Sequence, residues 1–105
     1  MKQEKWVSLL GLANRAGKII SGEELAVKEI RMGRAKLVLL SKDASENTIK
    51  KIKDKCHFYN IPLKEVANRY LLGQSIGKKE RVVVAVLDEG FAKKLELLLD
   101  ETIRG

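Results

Sequence analysis

Cysteine, histidine and proline each occur once in this 105-residue sequence, and aromatic residues make up only 5% of it. A lone Cys56 cannot close an intramolecular disulfide, and Cys56 with His57 cannot supply the roughly four ligands of a structural zinc site. Disulfide scaffold and zinc finger are excluded, and neither metal nor cofactor is expected. No apolar run approaches the ~18 residues that a membrane-spanning helix needs. The opening Met1-Lys2-Gln3-Glu4-Lys5 leads into a segment interrupted by polar residues, unlike the core of a signal peptide. A cytoplasmic protein without membrane contact is the expectation.

What is present is the composition of a chain that buries one modest core: 45% hydrophobic and 33% charged residues. At this length the expectation is a single domain over residues 1–105. The formal charge of +7 points to a polyanionic partner, and its distribution is uneven. Residues 1–81 carry 18 basic and 9 acidic side chains, net +9, whereas residues 82–105 carry 3 and 5, net −2. The positive field belongs to the first four fifths of the chain.

Hydrophobic spacing divides the chain into alternating helices and strands. Trp6, Leu9, Leu10, Ala13 and Ala16 recur at helical intervals, and Gly17 follows as a C-terminal cap. Lys18-Ile19-Ile20 reads as a short strand, and Ser21-Gly22-Glu23-Glu24 has the Ser-x-x-Glu form of a capping box that opens a second helix. Leu25, Ala26, Val27 and Ile30 are expected on its inner face, with Gly33 at its end. The uninterrupted Leu37-Val38-Leu39-Leu40 predicts a central strand buried on both faces. A third helix follows Ser45, with Ile49, Ile52, Cys56 and Tyr59 inward, Lys50, Lys51, Lys53 and Lys55 elsewhere, and Asn60 closing it. Pro62 predicts a strand start or an edge, Asn68 caps a short helix or turn over 69–77, and Val82 to Leu87 form a second buried strand. A last helix from about Gly90 carries Phe91, Leu95, Leu98, Leu99 and Thr102 on one side, with Asp88 and Glu89 near its N-terminus. The alternation predicts an α/β protein, a three-layer α/β/α domain around a parallel or mixed sheet.

Little in the sequence supports catalysis. Cys56 and His57 are adjacent on a helix, so their side chains diverge by about 100° and cannot act as nucleophile and base together. Cys56 is better read as a core residue and His57 as a solvated one. Leu72-Gly73-Gln74-Ser75-Ile76-Gly77-Lys78-Lys79 has the look of a phosphate-binding loop, but three residues separate its glycines where four are needed, and Lys79 stands where the magnesium-binding hydroxyl belongs. Nucleic-acid binding fits better. Lys42, the lysines of the third helix, Arg69, Lys78, Lys79 and Arg81 can meet phosphates, although the run from Lys50 to Lys55 is better read as an ordinary solvated helix face. The stretch from Gly73 to Lys79 offers glycines for close backbone approach, Leu72 and Ile76 for apolar contact and adjoining basic residues, which suits an irregular RNA. Trp6, Phe58 and Phe91 fall on or near core-facing positions, leaving Tyr59 and Tyr70 as stackers and arguing against a single-strand stacking platform.

The blocks Gly22 to Arg31, Ala35 to Ser45, Leu72 to Gly77 and Val82 to Asp88, in that order, resemble the L7Ae/L30e family of ribosomal and kink-turn RNA-binding proteins. Leu9 to Lys18 and Ser21 to Leu25 are similar, more narrowly, to a bacterial branch of it. The resemblance covers nearly the whole chain and implies an α/β/α sandwich around a mixed, mainly four-stranded sheet. It also implies two RNA-binding elements. One is the N-terminal end of the second helix, with Gly22, Glu23, Glu24, Leu25 and Lys28, which in the family enters the widened groove at tandem sheared G·A pairs. The other is the loop before the last strand, with Leu72, Gly73, Gln74, Ser75, Ile76 and Gly77 and the adjoining Lys78, which in the family supports the extruded nucleotide and the phosphates of the bulge.

The family's best kink-turn binders carry Gly-x-Asn-Glu-x-x-Lys. Gly22 and Lys28 match that pattern, while Glu24 and Leu25 replace its Asn and Glu. Leucine accepts no hydrogen bond from a guanine edge, a kind of contact worth about 1–3 kcal/mol, and Glu24 could serve as acceptor or as helix cap. The expectation is therefore a non-enzymatic, ribosomal-protein-like RNA-binding domain for ribosomal or other structured RNA such as a kink-turn. The alternative is a ribosome-associated domain that contacts proteins and has lost kink-turn readout.

Overall fold

The two apolar runs form the middle of the sheet. In the computed structural model, which describes residues 4–104 and the side chains of residues 4–101, β2 (Leu37–Ser41) and β4 (Val83–Val86) pair antiparallel with Leu39 opposite Val84, and every residue of both strands is buried. The edges are β1 (Ile19–Ser21), antiparallel to β4, and β3 (Leu63–Val66), parallel to β2, giving the order β1-β4-β2-β3. Pro62 lies just before the edge strand β3, where its missing N–H costs no ladder bond.

Because side chains alternate along a strand, the same two central strands feed two cores. Leu37, Leu39, Val84 and Val86 face Trp6, Val7 and Leu10 of α1 (Lys5–Arg15), Leu72 of α4 (Arg69–Ser75), and Ala92, Leu95 and Leu99 of α5 (Glu89–Arg104). Val38, Leu40, Val83 and Ala85 face Ala26, Val27 and Ile30 of α2 (Glu23–Arg31) and Ile52 and Cys56 of α3 (Glu46–Tyr59). The result is the three-layer α/β/α sandwich with a mixed four-stranded sheet.

Local signals placed most helix ends. Ser45 Oγ accepts from the Thr48 N–H, Asn68 Oδ1 accepts from the Leu71 N–H at 2.8 Å, Asp88 Oδ2 accepts from the Phe91 N–H at 2.9 Å, and Asn60 closes α3 at φ 61°. The capping box at Ser21 does not form. Ser21 is the last residue of β1, opposite Val84, and the N-cap of α2 is Gly22, which has no side chain with which to cap.

Two inward assignments also fail for angular reasons. Phe58 is 78% exposed, because two residues beyond the buried Cys56 is about 200° around the helix. Leu25 is 50% exposed, since the buried stripe of α2 runs through Ala26, Val27 and Ile30. Tyr59 sits at the rim of the α3 stripe and packs edge-on against Phe58, with ring centroids 4.9 Å apart. The expectations for Met1 to Gln3 and for the inward side chain of Thr102 lie outside what the structure describes. Among the described residues no helix is long and apolar enough to cross a membrane.

Burial pushes the Cys56 thiol up to about 11, so almost no thiolate exists at neutral pH, while His57 beside it is exposed. A thiol reagent at pH 8 should leave Cys56 unlabelled in the folded chain and label it readily in guanidinium. Equal labelling rates in the two states would contradict its burial.

Candidate nucleic-acid interface

The end of the sheet where β4 begins is also where β1, β2 and β3 finish. The Gly22 N–H donates to Val83 O at 3.0 Å, the Ser41 N–H to Val82 O at 2.8 Å and the Lys42 N–H to Val66 O at 2.9 Å. The start of α2, the 42–45 turn and the 76–82 segment therefore meet on one side of the molecule. Gly22 enters α2 at φ 106°, a conformation strained for any L side chain, and nothing lies within 4 Å of where a Cβ would stand.

The four polar or apolar side chains that follow Gly22 in the predicted α2 element divide into two roles. Glu23 is turned toward α3, where its carboxylate accepts from Thr48 Oγ1 at 2.7 Å and from Lys51 Nζ at 3.1 Å. The Thr48 hydroxyl first, and Lys51 second, hold that carboxyl below its ordinary value. Glu24, Leu25 and Lys28 are exposed instead, with Glu24 and Lys28 one turn apart on the same face. Without a capping box, Glu24 has no capping duty.

The second predicted element is largely interior. Leu72 and Ile76, expected to offer apolar contact to RNA, are 0% and 4% exposed and belong to the core beneath α1 and α5. Ser75 is buried with its hydroxyl donating to Leu72 O at 2.6 Å. Gly73 is buried where α4 passes the backbone of Glu80, and a Cβ there would lie 2.5 Å from the Glu80 Cα. The segment thus begins as helix α4 and not as a loop, because its leucines have a core to fill. Gln74, Gly77 and Lys78 alone among the predicted residues of this block reach the surface.

Sequence reasoning missed the polar braces that hold these pieces together. Arg69 donates through Nη2 to Asp43 O at 2.6 Å, and its guanidinium lies 3.5 Å from Asp43 Oδ2 and 3.4 Å from Glu80 Oε1. The Ser41 hydroxyl donates to the Asp43 carboxylate, which also accepts from the Arg69 N–H at 3.1 Å. These contacts, the Ser41 hydroxyl foremost, hold Asp43 below the usual carboxylate range. Arg81 Nε donates to Ser21 Oγ at 3.1 Å, tying the segment before β4 to the residue that precedes Gly22. Arg69 and Arg81, expected as phosphate contacts, are therefore engaged within the protein. Lys28, Lys42, Lys78 and Lys79 are exposed, and among the described residues none of them forms an ion pair. The braces from Arg69 to Asp43 and from Arg81 to Ser21 join residues 26 and 60 positions apart, so no local pattern announces them.

Residues 4–96 match the model of the ribosomal protein L7Ae/L30e/S12e/Gadd45 family. The chain is 62% identical over 100 residues to the RNA-binding protein YlxQ of Bacillus subtilis (strain 168), covering 95% of this chain and all of that one. A solved structure of a Bacillus halodurans protein of unknown function superposes with a TM-score of 0.91 at 53% identity, covering 93% of this chain and 99% of that one. The Giardia lamblia 15.5kD RNA binding protein shares the fold, with a TM-score of 0.79 at 16% identity over 96% of this chain and 90% of its own.

Two stability predictions follow from the braced end. Gly73→Ala should cost roughly 1–3 kcal/mol in urea unfolding, because the Glu80 backbone must move to admit a methyl group; an unchanged midpoint would mean that the segment gives way freely. The Glu23 contacts are fully stabilising above its ordinary value of 4.5 and are lost as pH falls through the lowered native value. Thr48→Val should flatten that acid limb of the stability curve, whereas an identical pH dependence in the variant would remove the Thr48 bond as its source.

Proposed function

The chain belongs to the ribosomal protein L7Ae/L30e/S12e/Gadd45 family, and from that premise we propose that it is a non-enzymatic, cytoplasmic, single-domain RNA-binding protein that grips structured RNA, such as a kink-turn or a ribosomal RNA element, at the sheet end where α2 begins. The observation that carries this reading is the convergence of the two elements: Gly22 is hydrogen-bonded to Val83, and Ser21 is bridged to Arg81, so the exposed ridge of α2 and the segment before β4 form one surface. The RNA-binding name of a relative 62% identical over 95% of the chain supports the partner class.

The ridge divides the work by chemistry. Glu24, a carboxylate in the first turn of α2, repels phosphate and accepts N–H donors, which suits a guanine edge. Lys28 one turn on, with Lys42, Lys78 and Lys79 around it, supplies the cations that neutralise phosphates. Gly22 leaves the backbone open to close approach, and Gln74 and Gly77 are the exposed positions that can flank a nucleotide turned out of the helix. One observation favours a second reading, a ribosome-associated domain that docks on protein: Leu25, 50% exposed, offers apolar contact where a base acceptor would otherwise stand.

Titrated against a kink-turn RNA and a straight duplex of equal length at several salt concentrations, the protein should favour the kink-turn at every one. Lys28→Ala should weaken binding and lower the log–log salt slope by about 1. Equal affinity for the two RNAs would end the structure-specific reading, and a partner retained after nuclease treatment but lost on Leu25→Ser would replace it with protein docking.

A further inference from the structure

Apart from Lys51, which pairs with Glu23, the outer face of α3 has no part in the site described above, yet it combines two features seldom left idle together. Lys51, Asp54, Lys55, Phe58 and Tyr59 line a shallow cleft with a volume of about 400 Å³. Their spacing at i, i+3, i+4, i+7 and i+8 brings them onto one side of the helix. Phe58 is 78% exposed and packs edge-to-face with Tyr59. Lys55 is half-buried beside it and, among the described residues, has no carboxylate partner. Exposing a phenylalanine this fully forgoes burial worth about 1.5–3 kcal/mol, and a large exposed apolar group rimmed by polar ones marks an interaction site.

We propose that this cleft is a second RNA-binding site, which stacks an unpaired base on Phe58 while Lys55 meets a flanking phosphate. Charge supports the occupant: Lys51 and Lys55 line the cleft against the single acid Asp54, in a chain of net charge +7, a balance that favours a polyanion. The aromatic selects it further, since a base has a flat face for the ring and N–H donors for the Asp54 carboxylate. Position agrees as well. Lys51 pairs with Glu23 at the start of α2, and Phe58 lies about 10 Å further along the axis, so the two sites are neighbours. The proposal extends the RNA-binding reading but concerns different residues, and the two are separable by experiment.

The test measures binding of the full chain to a labelled decamer of oligouridylate and to a kink-turn RNA without single-stranded overhangs. Phe58→Ala should weaken decamer binding by about 5- to 100-fold, Phe58→Trp should retain it, and Lys55→Gln should lower the decamer's salt slope by about 0.7. Lys28→Ala, by contrast, should weaken the kink-turn by a larger factor than the decamer. Wild-type protein that does not bind the decamer, or a Phe58→Ala affinity within twofold of wild type, overturns the second site. So does a polyglutamate decamer that binds as tightly as the RNA and is lost with Phe58→Ala, because the cleft would then be a peptide site. Failure of the kink-turn with the decamer result intact would count against the first site alone.

Discussion

The antiparallel pairing of β2 with β4 is the constraint on which everything else rests. Both strands are buried on both faces, and their alternating side chains begin two separate cores. Neither helix layer could close without them, because each layer packs on one set of alternate residues. A one-residue slip would exchange Leu39 and Val84 with the set that faces α2 and α3, so the register is strongly specified. The candidate site inherits that precision. Gly22 is hydrogen-bonded to the first residue of β4 and Ser41 to the residue before it, so the start of α2 and the 42–45 turn are both indexed to the same strand.

Features governed by neighbours in the sequence were legible in it. The two apolar runs, the caps at Ser45, Asn68 and Asn60, the buried Cys56 and the edge position after Pro62 each depend on local chemistry or on a simple period. Errors arose where a local pattern competed with a tertiary one. Ser21 has the spacing of a capping box, but pairing with Val84 keeps it in the sheet and Arg81 takes its hydroxyl. Phe58 is apolar and adjoins a buried stripe, yet hydrophobicity does not say on which side of a helix a residue falls when the stripe is only one residue wide. Leu72, Gly73 and Ile76 had the look of a recognition loop because glycines and basic residues surround them; only the packing shows that the two apolar side chains fill the core and that Gly73 lets α4 pass the Glu80 backbone.

The site itself was half legible for the same reason. Exposure of Glu24, Leu25 and Lys28 follows from the helix period once the buried stripe is known, but the occupation of Glu23 by Thr48 and Lys51 depends on α3 packing beside α2. Likewise, nothing near Arg69 or Arg81 in the sequence distinguishes them from Lys78 or Lys79. The arginines are spent on several oxygens at once, for which a planar guanidinium with fixed donors is suited, while the lysines stay in solvent as point charges.

That division changes what the net charge of +7 can mean. If the arginines were phosphate ligands, the basic surface would be both the attraction and the grip. Engaged as braces, Arg69 neutralises Asp43 and Glu80 and Arg81 ties Ser21 to the segment before β4, which leaves long-range attraction to flexible lysines whose contribution salt screens. On the proposed reading, discrimination then falls to short-range contacts that screening affects little: hydrogen bonds accepted by Glu24, the open backbone at Gly22 and the apolar Leu25. A surface built this way gathers polyanions indiscriminately at low salt and sorts them only when ionic strength suppresses the lysines, so the salt at which selectivity emerges measures how much of the recognition resides in that short ridge.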